Sequence, residues 1–174
     1  PPASWNQPGF DDASWASGPS PLGYGGDGEA TVIAGGVNRH FTNYFRRHFT
    51  LSSAAGISAL TLRFQRDDGI VLYLNGVEIG RDNMPAGPIT HDTPALSNMA
   101  GAEESAWITI PVDKARLVDG LNILAAEVHQ GDATSPDLRF NLELEGESAV
   151  PFLLPGINRR VIEERDAEGA LRAT

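Results

Sequence analysis

The chain contains no cysteine. A thiol nucleophile, a Cys-ligated zinc and a disulfide framework are thereby excluded. The compartment is not fixed by this absence, because a domain of 174 residues can be stable without cross-links. Lysine is nearly missing too: of 13 basic residues only Lys114 is a lysine. With a net charge of −10 and a pI near 4.7, the chain lacks the basic surface that a nucleic-acid partner requires. An anionic membrane surface is disfavoured for the same reason. No stretch approaches the ~20 consecutive apolar residues of a membrane span, so membrane insertion is not expected. A basic-then-apolar leader is absent from the opening PPASW. Pro1-Pro2 reads as the end of a linker, and the expectation is a piece of a longer chain.

What is present is turn-rich. Nineteen Gly and 12 Pro in short clusters, among few helical patterns, indicate an all-β protein. Hydrophobic residues make up 41% of the chain, enough for a real core. Residues 1 to 43 are loop-rich, and Trp5, Phe10 and Trp15 recur at intervals of five. Such aromatics pin a flap of loop to a core; exposed stacking platforms for sugars are the functional alternative. From Tyr44 strands follow one another. YFRRHFTL puts Phe45, Arg47 and Phe49 on one face and Tyr44, Arg46 and His48 on the other. SALTLRF sets Leu60, Leu62 and Phe64 opposite Thr61 and Arg63. In DDGIVLYLNGVEIGR, Asn75-Gly76 is the strongest two-residue hairpin signal, because a type I′ turn needs positive φ at both central positions. Its first strand, 70–74, is apolar on both faces and is expected to be covered on both. A long loop over 82–106 comes next, then strands near 107–113, 121–129 and 138–145. A structureless loop of that length is uncommon in a compact domain and is often functional.

If successive strands reverse direction, the polar and longest loops gather at one end of the sandwich. Asp67, Asp68, Arg81, Asn83, His129, Asp132 and Asp137 then share a rim, where binding residues of such scaffolds commonly sit. With the nearby aromatics, Trp15, Tyr24, Asp68, Arg81, Asn83 and His129 are the candidates for binding a glycan. Several carboxylates among loop carbonyls also suit calcium, which takes loose oxygen coordination; Asp67, Asp68 and Asp137 are the candidate ligands. No EF-hand spacing occurs. The ordinary alternative is a set of solvated acids paired with Arg66 and Arg81. His129, Ser135 and Asp137 have the residue types of a hydrolytic triad, but no nucleophile elbow or oxyanion hole accompanies them. No catalytic geometry is defined, and a non-enzyme is expected.

Three stretches carry a resemblance: YFRRHF (44–49), DDGIVLYLNGVEIGR (67–81) and LVDGLNILAAEVHQ (117–130). Their order is similar to that in the sugar-binding domains of family-two β-galactosidases and β-glucuronidases, which are galactose-binding-like jelly rolls. The opening FDDASW…GPSPLGYGG, NMPAG and the closing HQ…SPDLRFNLELE resemble a domain repeated in large secreted bacterial proteins. The resemblance covers roughly residues 5 to 145. It implies an antiparallel jelly-roll β-sandwich over 1–145, located extracellularly or at the cell surface, binding a glycan or neighbouring domains of a larger protein. Fold alone does not settle which. Such domains usually have a strand before the first Trp, so that edge is expected to be open or filled from elsewhere.

Residues 146–174 are expected to form a β-hairpin tail or the start of a following module. In AVPFLLPGINRRVIEER, Val150, Phe152 and Leu154 are spaced to point one way. Donation of that strand to an open edge of a neighbour is the alternative function: a structural subunit self-assembling into a filament.

Overall fold

The computed structural model describes residues 1–26, 28–34, 40–132 and 134–148, with the backbone of two further strands at 159–161 and 171–173. It is an all-β sandwich of two mainly antiparallel sheets. Twelve strands occur among the described residues: β1 (Ala16–Gly18), β2 (Leu22–Tyr24), β3 (Thr31–Val32), β4 (Thr42–Leu51), β5 (Ile57–Arg66), β6 (Gly69–Leu74), β7 (Val77–Asp82), β8 (Ile108–Val112), β9 (Gly120–His129), β10 (Leu138–Ser148), β11 (Arg159–Val161) and β12 (Leu171–Ala173). One sheet has the order β1-β12-β4-β9-β6-β7. The other runs β3-β2-β10-β5-β8, with β11 also on β10. Among the described strands only β2 and β3 pair in parallel. The chain passes from sheet to sheet at β1–β2, β3–β4, β4–β5, β5–β6, β7–β8, β8–β9, β9–β10 and β11–β12, which gives the jelly-roll habit of neighbouring strands distant in sequence.

Period-two patterning built this core. Phe45 and Phe49 of β4, Leu60, Leu62 and Phe64 of β5, Ile70, Leu72 and Leu74 of β6, Leu124, Ala126 and Val128 of β9, and Phe140 of β10 meet between the sheets. Phe45 and Phe140 stack with centroids 4.2 Å apart. At the β6–β7 turn, Asn75 and Gly76 have φ of 53° and 79°, the two positive values a type I′ turn requires. The Asn75 amide also donates to Arg116 O and Asn122 Oδ1, at 2.8 Å each, tying the hairpin to the β8–β9 link.

The outer face of the β4-β9-β6 sheet is covered twice. The N-terminal segment lays Trp5 against Tyr44 and Tyr73, edge-on, with centroids at 4.7 and 5.6 Å. Phe10 meets Trp15 in the same way at 5.5 Å. These aromatics therefore pin a flap. Beneath it lies Arg46, 1% exposed. Its Nε donates to Asp12 Oδ2 at 2.9 Å, and Nη1 donates to the carbonyls of Trp5 and Gln7. The long loop provides the second cover: Met84 and Ala95 pack on Val71, which faces outward from β6 like Tyr73. That packing is close. A Cβ added to Gly69 would stand 2.5 Å from Met84 Sδ.

Strand β10 continues through Ser148. Arg159–Val161 pairs with Glu145–Glu147, and Leu171–Ala173 lies between β1 and β4. Val150, Phe152 and Leu154, the candidate assembly residues, fall outside the described residues.

The Arg46 contacts generate a prediction. Arg46→Ala leaves Asp12 buried without its guanidinium and frees the carbonyls of the flap. Removing one partner of a buried pair costs about 3–5 kcal/mol. Urea unfolding is expected to show that loss. Trp5 emission should shift to the red before the global transition as the flap lifts.

Candidate functional site

Asp67 and Asp68 link β5 to β6 and are each only 2% exposed. They are neither solvated nor paired with Arg66 or Arg81. Arg66 Nε donates to Asp82 Oδ2 at 2.7 Å, and Arg81 Nε donates to Glu78 Oε1 at 2.7 Å within its own hairpin. Instead Asp68 is a clamp. Its Oδ1 accepts the Met99 N–H and its Oδ2 the Gly131 N–H, the latter at 2.7 Å. Its main-chain carbonyl accepts Asn83 Nδ2 at 3.1 Å. Carboxylates that accept main-chain N–H groups make the stronger, charge-assisted class of hydrogen bond. Asn83 completes the arrangement: at φ 53° it also donates to Ser97 O and accepts from Ser97 Oγ. The β5–β6 turn, the long loop and the β9–β10 loop are thereby joined at one end of the sandwich, as strand-direction counting anticipates.

The six glycan candidates do not form one surface. Asp68 and Asn83 hold loops together. His129 is fully buried, its Nδ1 2.8 Å from Thr93 O and 3.0 Å from Thr42 Oγ1. Tyr24 is 7% exposed and lies under Gln130. Arg81 spans to the carbonyls of Pro85 and Gly87. Trp15 sits apart, against Phe10 and on the rim of a second hollow with Leu22 and Val32.

A polar-lined concavity lies on the outer face of the β4-β9-β6 sheet, between the two covers. Its volume is about 570 Å³, within the range of small-molecule sites. One wall is the flap (Ala3, Trp5, Asn6) and the other is the long loop (Ile89, Thr90, His91); Tyr44, Glu127 and Tyr73 form the floor. Tyr44 and Glu127 are direct cross-strand partners, and Tyr73 stands one strand further over. Tyr73 Oη donates to Glu127 Oε1 at 2.6 Å. Glu127 Oε2 faces His129 Nε2 at 3.5 Å, and that buried nitrogen has no hydrogen-bond partner. Burial, with Glu127 beside it, pushes the Tyr73 phenol far up; burial and then Glu127 raise Tyr44 to about 12. Both phenols therefore stay protonated and able to donate. A second hollow, bounded by His40, Phe41, Thr42 and Asp92, continues the groove past Tyr44 and His91.

No reading of the sequence singled out this floor. Tyr44 and Glu127 lie in ordinary strand alternation, and only the register of three strands brings them to Tyr73.

A different cluster surrounds Asp67. Carboxylate oxygens of Asp67, Glu104 and Asp137 lie within 4.8 Å of one another. Asp67 and Asp137 were legible as candidate ligands. Glu104 was not, since it sits in a loop whose path the sequence does not specify. Asp68, the third candidate, spends its carboxylate on the two main-chain N–H groups.

No protein-family model matches the chain, and no curated protein does. Among solved structures the chain is similar to the α-L-rhamnosidase of Streptomyces avermitilis complexed with L-rhamnose, at 18% identity over 76% of this chain, with a TM-score of 0.48. It is similar also to the α-L-rhamnosidase of Dictyoglumus thermophilum, at 16% identity over 77%, with a TM-score of 0.48. The match spans only 10% and 13% of those enzymes' chains.

Burial, the carboxyl of Asp68 and the charges of Asp137 and Glu104 push the Asp67 carboxyl well above the usual range. The native state then binds more protons than the unfolded chain once the pH exceeds the unfolded carboxylate pKa. Stability contributed by this group therefore falls as pH rises from about 4 toward the raised folded value. In metal-free buffer, Asp67→Asn is expected to raise Tm at pH 7 relative to wild type, with the difference vanishing near pH 3. Melting curves across that window check the sign.

Proposed function

We propose that this chain is a non-catalytic carbohydrate-binding domain of a larger, extracellular glycan-acting protein. The groove over the β4-β9-β6 sheet carries the reading. Trp5, Tyr44 and Tyr73 offer amphipathic rings, which bury apolar area while keeping a polar edge. Glu127 Oε1 accepts from Tyr73 at 2.6 Å, and Oε2, 3.5 Å from His129 Nε2, has capacity to accept from a ligand. A buried carboxylate oxygen flanked by rings suits a sugar: its hydroxyls donate to the oxygen and its C–H faces rest on the aromatics. Thr90, His91 and Asn6 supply further polar partners at the walls. Among the described residues lining this groove Glu127 is the one carboxylate, with Asp92 set apart on the adjoining hollow, and that arrangement favours binding over the two-carboxylate hydrolysis of a glycosidic bond.

A glycan array followed by calorimetry on the hits tests the proposal. At least one neutral or uronic glycan is expected to bind the intact chain. Glu127→Ala is expected to weaken it roughly tenfold or more, since a hydrogen bond to a charged group is worth about 1.5–3 kcal/mol. Trp107→Ala, on the far sheet, should leave binding unchanged. A blank array, or binding that survives Glu127→Ala intact, overturns the proposal.

A further inference from the structure

We infer that the groove over the β4-β9-β6 sheet selects a glycan bearing a protonated amine, a de-N-acetylated amino sugar, over its neutral counterparts. This selectivity rests on the carbohydrate reading of the same groove and specifies the class of sugar.

The floor is an acceptor without a fixed cation. Glu127 is 5% exposed, and a carboxylate held out of water is costly until a positive group meets it. None of the described side chains lining the groove is a lysine or an arginine. Arg81 is committed elsewhere, to the Glu78 carboxylate and to the carbonyls of Pro85 and Gly87. Tyr73 donates to Glu127 Oε1 at 2.6 Å but brings no charge.

The ring of His129 is oriented the wrong way to serve. Its Nδ1 lies 2.8 Å from the Thr93 carbonyl, which can only accept. It also lies 3.0 Å from Thr42 Oγ1, whose own proton goes to the His91 carbonyl at 2.7 Å. Nδ1 therefore carries the proton of the neutral ring. In that tautomer Nε2 turns a lone pair toward Glu127 Oε2 at 3.5 Å, and Nε2 is buried without a hydrogen-bond partner. Two acceptors thus face one another at the floor, and a cation is what they lack.

The surroundings point the same way. Burial is the main reason the Tyr73 and Tyr44 phenols are pushed up, but the charges acting on them are Glu127, Glu78 and Asp92, all negative, against Arg81 alone. A negative field over the floor attracts ammonium groups and disfavours uronates. Trp5, Tyr44 and Tyr73 border the carboxylate, and the negative face of an aromatic ring favours a cation within about 6 Å. A neutral sugar finds hydrogen bonds in this groove. An amino sugar finds those and supplies the missing positive charge.

Calorimetry on the intact chain, in near-neutral buffer of low ionic strength, tests the preference. The probes are disaccharides of glucosamine and of galactosamine, each beside its parent hydroxyl sugar and its N-acetylated form. The parent sugar controls for the bulk of the acetyl group. At least one amino disaccharide is expected to bind about tenfold tighter than both neutral counterparts, the margin between a charged and a neutral hydrogen bond. High salt should narrow that margin. Glu127→Gln keeps an oxygen for Tyr73, and its amide can donate to His129 Nε2, so the charge goes while the fold is retained; amino and neutral forms should then bind about equally. Glu147→Gln removes the same charge from an exposed position on the far sheet and should keep the preference. Equal or tighter binding of the neutral forms, or binding of other glycans alone, overturns this inference and leaves the carbohydrate reading standing. No binding of any glycan overturns both. A preference that survives Glu127→Gln, or that Glu147→Gln abolishes as well, belongs to the net charge of the chain and overturns the inference. The wild-type comparison decides by itself should Glu127→Gln fail to fold.

Discussion

A single buried carboxylate organises the loop end of this sandwich. Asp68 receives main-chain N–H groups from two loops far apart in sequence, while its own backbone is held by Asn83 and His129. It ties the long loop near Met99 to the β9–β10 loop, beside the anchors that Arg81, His129 and Val71 give the rest of the long loop. The groove wall formed by Ile89 to His91 is held on the sheet directly, by Thr42 Oγ1 donating to the His91 carbonyl at 2.7 Å and by Ile89 packing beside Val71 and Met84. The Asn83–Ser97 pair closes the loop on itself, and Leu96 N–H donates to Asn83 O at 2.9 Å. The loop behaves as a folded cover rather than a tether, which is how more than twenty residues without regular structure remain compatible with a small domain.

The other cover depends on the opposite charge. Arg46 projects from the middle of β4 onto the outer face, where an apolar residue would ordinarily be capped by a neighbouring layer. Here its guanidinium gathers the carbonyls and carboxylate of the N-terminal segment, and Trp5 closes over Tyr44 and Tyr73. Arg suits this place because its planar fork offers several donors at fixed angles. The two covers leave a strip of sheet uncovered between them, and that strip is the groove.

Strands were legible because their physics is local. Leu60, Leu62 and Phe64 alternate with Thr61 and Arg63, and β5 follows that alternation; Asn75-Gly76 could only be a tight hairpin. The gathering of loops at one end followed from strand direction, which propagates from one reversal to the next. What stayed hidden depended on register and on loop paths. Glu127 reads in sequence as the polar residue between Ala126 and Val128, and its role emerges only when Tyr44 and Tyr73 flank it on neighbouring strands. Glu104 is one acid of a pair in a loop. Conversely, Asp68, Asn83 and His129 carried the right chemistry for a ligand but are consumed by the fold. Polar residues in turns serve the backbone first, and sequence alone does not separate the two uses.

Tyr44, Glu127 and Val71 stand side by side on one ladder, while Phe45, Ala126 and Leu72 form the next rung, facing the other way into the core. Slipping β9 by one residue would exchange these sets, driving Glu127 between the sheets and exposing Val128 or Ala126. The floor of the groove and the hydrophobic interior are therefore two sides of one alignment. An error that would corrupt the groove floor is also an error the core cannot tolerate, so the stability of the sandwich proofreads the placement of Tyr44, Tyr73 and Glu127. The walls, built from loops, are under no such register check, and sequence variation is free to accumulate there.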